Sequence, residues 1–189
     1  MMDAGQQSMP LDRLEETLWV IQARAGQAEA FGRLVALHER PLFYYLRRFI
    51  RQPEAALDAH QEVWLEAFRG LRNLHTPEAF RAWLYRIAHN KAMRFARREI
   101  RDGQHSEPLS EAHEETPEDT EPPCDAETIH YALDRLPLLQ REVLTLHYLR
   151  DLSLAEIAVV LDCPMGTIKS RLFHARTALR QILEKAQYE

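Results

Sequence analysis

The chain has 189 residues, 46% of them hydrophobic, and a net charge of −5, which suits a packed core and, taken alone, argues against nucleic acid. It holds no run of about 18 apolar residues that would span a membrane, and Met1 to Pro10 lacks the basic and apolar regions of a secretion signal, so a cytoplasmic protein is expected. The two cysteines, Cys124 and Cys163, stand far apart and in no metal-ligand spacing, as free thiols of a reducing compartment would; neither a metal nor another cofactor is expected.

Few glycines, many Leu, Ala, Glu and Arg, and no sustained two-residue alternation predict an all-α chain. Residues 1–27 read as a tail and a first helix, with Leu11, Leu14, Leu18 and Ile21 at helical spacing beside Trp19. Residues 28–101 read as a helical domain in a basic block: over 24–101 there are 15 Lys or Arg against 8 Asp or Glu. Its first helix should run from about Ala28 to Arg51, with Phe31, Leu34, Val35, Leu42, Tyr45, Leu46 and Phe49 on a broad apolar face and Pro41 kinking or interrupting it. Pro53 then permits a helix over about 54–70, burying Leu57, Val63, Trp64, Ala67 and Phe68, with Gly70 as its stop. Thr76-Pro77-Glu78 offers a hydroxyl N-cap, a first-turn proline and an acid at the positive dipole end, and opens a helix reaching about Arg101.

Residues 102–127 carry ten acids and no Lys or Arg, with Pro108, Pro117, Pro122 and Pro123 and scarcely an apolar side chain. Such a segment buries too little surface to offset its ordering entropy, so a flexible acidic linker is expected between two small domains. Residues 128–189 form a near-neutral second domain, with helices expected near 127–135, 138–149, 153–161 and 164–184. Ser153 and Glu156 have capping-box spacing.

From Leu152 to Arg180 the pattern is that of a helix-turn-helix: a short capped helix, a tight turn at Asp162-Cys163-Pro164, then a second helix. On the latter, Ile168, Leu172, Ala175 and Leu179 make a narrow packing stripe. Thr167, Ser170 and His174 point the other way, flanked by Lys169 and Arg171. Short polar side chains framed by cations suit a helix in a major groove, where polar groups reach base edges and cations meet phosphates. A small bundle with a solvated basic face has the same pattern.

In the first domain, Asp58, Gln61, Glu62 and Glu66 share neighbouring turns. Acid–base or metal chemistry would use such carboxylates, but no paired histidine converges on them, and a solvated acidic face accounts for them as well. Across the helix over 78–101, Phe80, Trp83, Leu84, Ile87, Ala88 and Phe95 should pack. Tyr85, Arg86, His89, Asn90, Arg94 and Arg97 should be presented, with Arg98 near the stripe's end. Cations mixed with an aromatic ring and amide donors fit a surface that tracks a nucleic-acid backbone and meets unstacked bases, or again a solvated basic helix.

The runs Leu136-Pro-Leu-Leu-Gln-Arg-Glu-Val-Leu144, Leu152-Ser-Leu-Ala-Glu-Ile-Ala158 and Gly166-Thr-Ile-Lys-Ser-Arg-Leu172, with Ala175-Arg176, resemble region 4 of sigma-70 factors, and most of all the extracytoplasmic-function group. Leu57-Asp-Ala-His-Gln-Glu-Val-Trp64 resembles the polymerase-docking helix of that family. Phe80-Arg-Ala-Trp83-Leu-Tyr-Arg-Ile-Ala-His-Asn90 with Arg97-Arg98 resembles its promoter-melting helices. The resemblance implies a transcription-initiation factor, not an enzyme, with core RNA polymerase and promoter DNA as partners and an anti-sigma factor as a possible regulator. It implies that Asp58, Gln61 and Glu62 meet the polymerase, and that residues 71–77, including Asn73, form a loop capturing a flipped base. Tyr85, Arg86, Asn90, Arg94, Arg97 and Arg98 would lie along a minus-ten-type element; Thr167, Lys169, Ser170, Arg171, His174 and Arg176 would read a minus-thirty-five-type element. The acidic linker would thread the polymerase's basic channel, or act as a passive tether. Three features depart from the family pattern. His174 stands where arginine is usual, Arg94 where aspartate is frequent, and Leu57 and Ala59 where an acidic and a larger apolar residue are common.

Overall fold

A computed structural model describes residues 11–50, 52–101, 129 and 131–186; the side chains of residues 11, 96–101, 185 and 186 lie outside that description, as do the linker over 102–127 and residues 1–10. Among the described residues the structure is helical, without strands, and divides into two compact units, one ending at Ala92 and the other beginning at Met93.

The first unit begins with α1, Leu11–Arg24, and α2, Ala28–Arg47. Between them Gly26 takes a left-handed φ of 94°. Its N–H bonds Ala23 O at 3.0 Å, and the Gln27 N–H bonds Gln22 O at 3.1 Å. This pair of bonds closes the helix end around a residue that tolerates positive φ. α2 passes through Pro41 as a continuous helix, so the expected interruption is absent. Pro41 costs one backbone donor, but Leu34, His38, Leu42 and Tyr45, all buried, hold both halves against the core. α2 ends at Arg47 instead of continuing to Arg51, because the chain turns inward to bury Phe49 and Ile50.

α3, Pro53–Gly70, buries Ala56, Ala59, His60, Val63 and Ala67. The expected stripe is corrected here: Leu57 and Phe68 are 48% and 63% exposed. The side facing α2 is made mostly of alanine, which lets the backbones approach closely and leaves the larger rings at the surface. Gly70 ends α3 in ordinary helical conformation, at φ −87°. What singles it out is proximity, since a Cβ there would stand 2.9 Å from Cζ2 of Trp83.

Two 3-10 turns, Leu71–Asn73 and Pro77–Ala79, lead into α4, Phe80–Arg101. Thr76 occupies the N-cap with extended backbone, but its hydroxyl makes no cap hydrogen bond, contrary to the sequence expectation. α1 packs on α2 and also reaches both 3-10 turns. Tyr45, Leu46, Phe80, Leu84 and Tyr85 form the centre of this unit.

In the second unit, residues 131–134 form a helical turn, followed by α5, Leu138–Leu144, which widens into a π-helical turn over Thr145–Leu149. α6, Leu154–Val160, and α7, Met165–Ala186, complete it. The capping box forms as expected: Glu156 N–H bonds Ser153 Oγ at 3.2 Å, and Ser153 N–H bonds Glu156 Oε2 at 2.7 Å. α5 and α6 both pack on α7 around Val143, Leu146, Leu152, Ile157, Ile168, Leu172 and Ala175.

Candidate functional site

α6 and α7 are joined by a turn in which Asp162 adopts a left-handed φ of 48°. The Thr167 and Ile168 N–H groups then bond Pro164 O at 2.9 and 3.2 Å, starting α7 immediately after the turn. Ile168, Leu172 and Ala175 are buried against the unit, and Leu179 is half-buried. On the remaining faces of α7, Lys169, Ser170, His174 and Arg176 are exposed, whereas Thr167 and Arg171 are half-buried. The Arg171 guanidinium lies 3.9 Å from Cys163 Sγ.

Two aromatic rings here escaped the sequence reading. Phe173 is 66% exposed, on the same side of α7 as Ser170, with its ring centroid 5.5 Å from that of His174. Tyr148, 56% exposed on the π-helical turn, lies under the Arg176 guanidinium at 5.6 Å. An apolar residue standing at the α7 surface, out of register with the packing stripe, was the available signal for Phe173.

On α4, Arg86, Asn90 and Arg94 are exposed at four-residue spacing, so they share one face. Arg97 and Arg98 belong to the last turns of the same helix, and their side chains lie outside the described residues. Tyr85 is not on that face. It is 1% exposed, with its ring edge-on to Tyr45 at 5.3 Å, so its expected presentation to a ligand is corrected: it is a core side chain. Its position one residue before Arg86 turns it toward α2. His89 is half-buried, with Nδ1 3.4 Å from the Tyr45 hydroxyl. Asn73 is exposed on the 3-10 turn, which is anchored by the buried Leu71 and Leu74 on either side.

Asp58, Gln61 and Glu62 project from α3 into solvent. Glu62 is not an isolated acid: Lys91 of α4 pairs with Glu62 Oε2 at 2.9 Å and Glu66 Oε2 at 3.0 Å. Burial pulls the Lys91 ammonium down, but its hydrogen bonds to Glu62 and Glu66 and their charges outweigh burial and hold it above the ordinary lysine value. Beside Gln61, α2 and α3 leave a groove of about 470 Å³ lined by Phe31, Trp64, Leu65 and Phe68. Phe31 meets the rings of Trp64 and Phe68 edge-on at 6.0 and 5.2 Å. Among the described residues, no group of three His, Cys, Asp or Glu side chains could hold a metal, and no helix is long and apolar enough to cross a membrane.

Two family models match the chain: sigma-70 region 2 over residues 34–101, and sigma-70 region 4 over residues 126–179. The RNA polymerase sigma-H factor of Pseudomonas aeruginosa is 33% identical over 87% of this chain and 92% of its own length. The ECF RNA polymerase sigma-E factor of Escherichia coli K12 is 30% identical over 89% and 94%. Among solved structures, CnrH in complex with the cytosolic domain of CnrY is similar, with a TM-score of 0.64, 26% identity and coverage of 90% of this chain and 98% of that one. The sigma factor RpoE of Bartonella quintana, solved with the anti-sigma factor NepR, gives a TM-score of 0.65 at 25% identity, covering 83% and 98%.

The chain belongs to the sigma-70 family of RNA polymerase sigma factors, in its extracytoplasmic-function group. It is therefore a transcription-initiation factor, acting through core RNA polymerase and promoter DNA, and not an enzyme.

Proposed function

We propose a residue-level division of that work between two domains, 28–101 and 128–189, tied by the linker over 102–127. The first domain docks on core RNA polymerase through Asp58, Gln61 and Glu62. Its loop over 71–77, in which Asn73 is exposed, receives a base flipped from the melting minus-ten-type element. Unstacking that base costs a few kcal/mol, which contacts in the loop offset. Arg86, Asn90, Arg94, Arg97 and Arg98 run along the strand. Tyr85 supports this face from within the core.

The second domain lays α7 in the major groove of a minus-thirty-five-type element. Lys169, Arg171 and Arg176 meet phosphates, while Thr167, Ser170 and His174 reach base edges, where each good contact discriminates by about 1–3 kcal/mol. Phe173 joins them as an apolar contact for a thymine methyl. The acidic linker, with ten carboxylates, occupies a basic channel of the polymerase. An anti-sigma factor is a fitting regulator, because CnrH and the Bartonella RpoE were each solved with a partner, CnrY and the anti-sigma factor NepR respectively. The working compartment is the cytoplasm, where polymerase and promoter meet.

The observation that carries this reading is the opposition of faces on α7: Ile168, Leu172 and Ala175 buried, Lys169, Ser170, Phe173 and His174 exposed, on a helix launched directly from a tight turn. The docking half is tested by co-migration with core polymerase on gel filtration. Wild-type chain should co-migrate and Asp58→Arg/Glu62→Arg should not; equal co-migration of the two would remove α3 from the interface.

A further inference from the structure

Lys91 sits in chain between the two faces assigned to the first domain. Asn90, its immediate neighbour, is exposed on the α4 face assigned above to the promoter strand. The Lys91 ammonium turns instead toward α3, where Glu62 and Glu66 hold it at 2.9 and 3.0 Å. The asymmetry of exposure is marked: the Lys91 side chain is 13% exposed, and the two carboxylates are 51% and 54% exposed. A cation of the DNA-facing helix is thus engaged by two acids that stand open to a partner, and one of them, Glu62, belongs to the docking set.

We propose that Lys91 is an internal counter-ion that competes with core polymerase for Glu62 and Glu66, so that docking and the release of Lys91 toward the promoter strand are coupled. The inference rests on the assignment of Asp58, Gln61 and Glu62 to docking. Two carboxylates and one ammonium present a polymerase cation with net charge −1, and the ammonium repels that cation at short range. Docking is weakened accordingly while Lys91 stays in place. Anything that draws Lys91 away, such as a DNA phosphate, returns both carboxylates to the polymerase. By linkage, binding of either partner then favours the other to the same degree. A lysine suits this role, since its charge sits on a flexible four-carbon stem and needs no fixed planar geometry to change partners. Lys91 acts here as a positioning residue, gating carboxylates that other molecules contact.

The test uses the full chain and core polymerase, titrated against each other at low salt, and then the assembled holoenzyme titrated with a pre-melted promoter fragment. Lys91→Met removes the charge at similar length. Lys91→Gln keeps donors for both carboxylates, and is read in its place should Lys91→Met lower the melting temperature. The expected result is core affinity higher than wild type by about two- to five-fold, the range an exposed ion pair supplies, with the gain fading as salt rises. The matching result is a holoenzyme whose affinity for the melted fragment falls by a similar factor. A folded variant that binds core polymerase as wild type does, or more weakly, overturns the proposal and makes Lys91 a strut between α3 and α4. The Asp58→Arg/Glu62→Arg variant separates the two levels. If it leaves core affinity intact, the docking assignment fails; if it abolishes docking while Lys91→Met does not tighten it, the counter-ion role alone fails.

Discussion

Glu16 and His38 meet in the interior of the first unit, with His38 Nε2–H donating to Glu16 Oε1 at 2.8 Å. The Nε–H of Arg81 donates to the other oxygen of the same carboxylate. Glu16 is 3% exposed, so one buried acid fastens α1 to α2 and to the first turn of α4. Burial pushes the Glu16 carboxyl up, but the hydrogen bond and charge of His38, followed by those of Arg81, outweigh it and hold the group below the ordinary carboxylate value.

Removing Glu16 should therefore be costly. Glu16→Ala leaves Arg81 and His38 without the acid they surround, and breaking a buried ionic cluster from one side costs about 3 kcal/mol. Urea unfolding at neutral pH should show a loss of that order, with Glu16→Gln less affected. The folded carboxyl binds its proton less readily than the unfolded one. Its contribution is thus complete above the ordinary carboxylate range and is lost as pH falls through the folded value. Wild type should lose stability in acid more steeply than Glu16→Gln; parallel curves would contradict this.

Gly70→Ala should destabilise the first unit although Gly70 is helical. The added methyl would meet the Trp83 ring at 2.9 Å, within a junction that also carries the 3-10 turn over 71–73. Overpacking of this kind costs about 1–3 kcal/mol. A lower melting temperature with a shifted tryptophan emission is expected, and an unchanged spectrum would show that the ring moves freely.

Asp162 tests the turn before α7 in isolation. At φ 48°, aspartate bears a left-handed conformation that glycine adopts freely and a β-branched residue resists. Asp162→Gly should keep full promoter affinity. Asp162→Val should cost about 1–2 kcal/mol in the second unit and weaken binding to the upstream element, measured by fluorescence anisotropy.

Phe173→Ala and Lys169→Ala should fail in different ways. Loss of the ring should reduce affinity only for sequences carrying the contacted thymine and leave the salt dependence alone. Loss of the ammonium should weaken all sequences alike and make the slope of log affinity against log salt shallower by about one. Binding isotherms at several salt concentrations on two operator variants read both.

What the sequence revealed was local. The Ser153–Glu156 box, the Ile168–Leu172–Ala175 stripe and the helix start at Pro53 are encoded within a few residues, and the structure forms them where expected, whereas Pro77 opens a 3-10 turn without the Thr76 cap and the α-helix begins at Phe80. Size misled where packing was decided by small residues: Phe68 and Leu57 read as core, yet the alanines of α3 take the inside. Tyr85 read as surface because its neighbours are cationic, but its ring fills space opposite Tyr45. Glu16, His38 and Arg81 carried no signal, since their pairing joins positions 22 and 65 residues apart. The Lys91 bridge to α3 was hidden for the same reason.

The central claim, that this chain selects promoters for RNA polymerase, is tested most directly by run-off transcription from a genomic fragment library with core enzyme alone and with the chain added, mapping the 5′ ends. Defined start sites that require the chain, and that disappear with Asp58→Arg/Glu62→Arg, are the predicted result. Identical transcript ends with and without the chain would contradict the account.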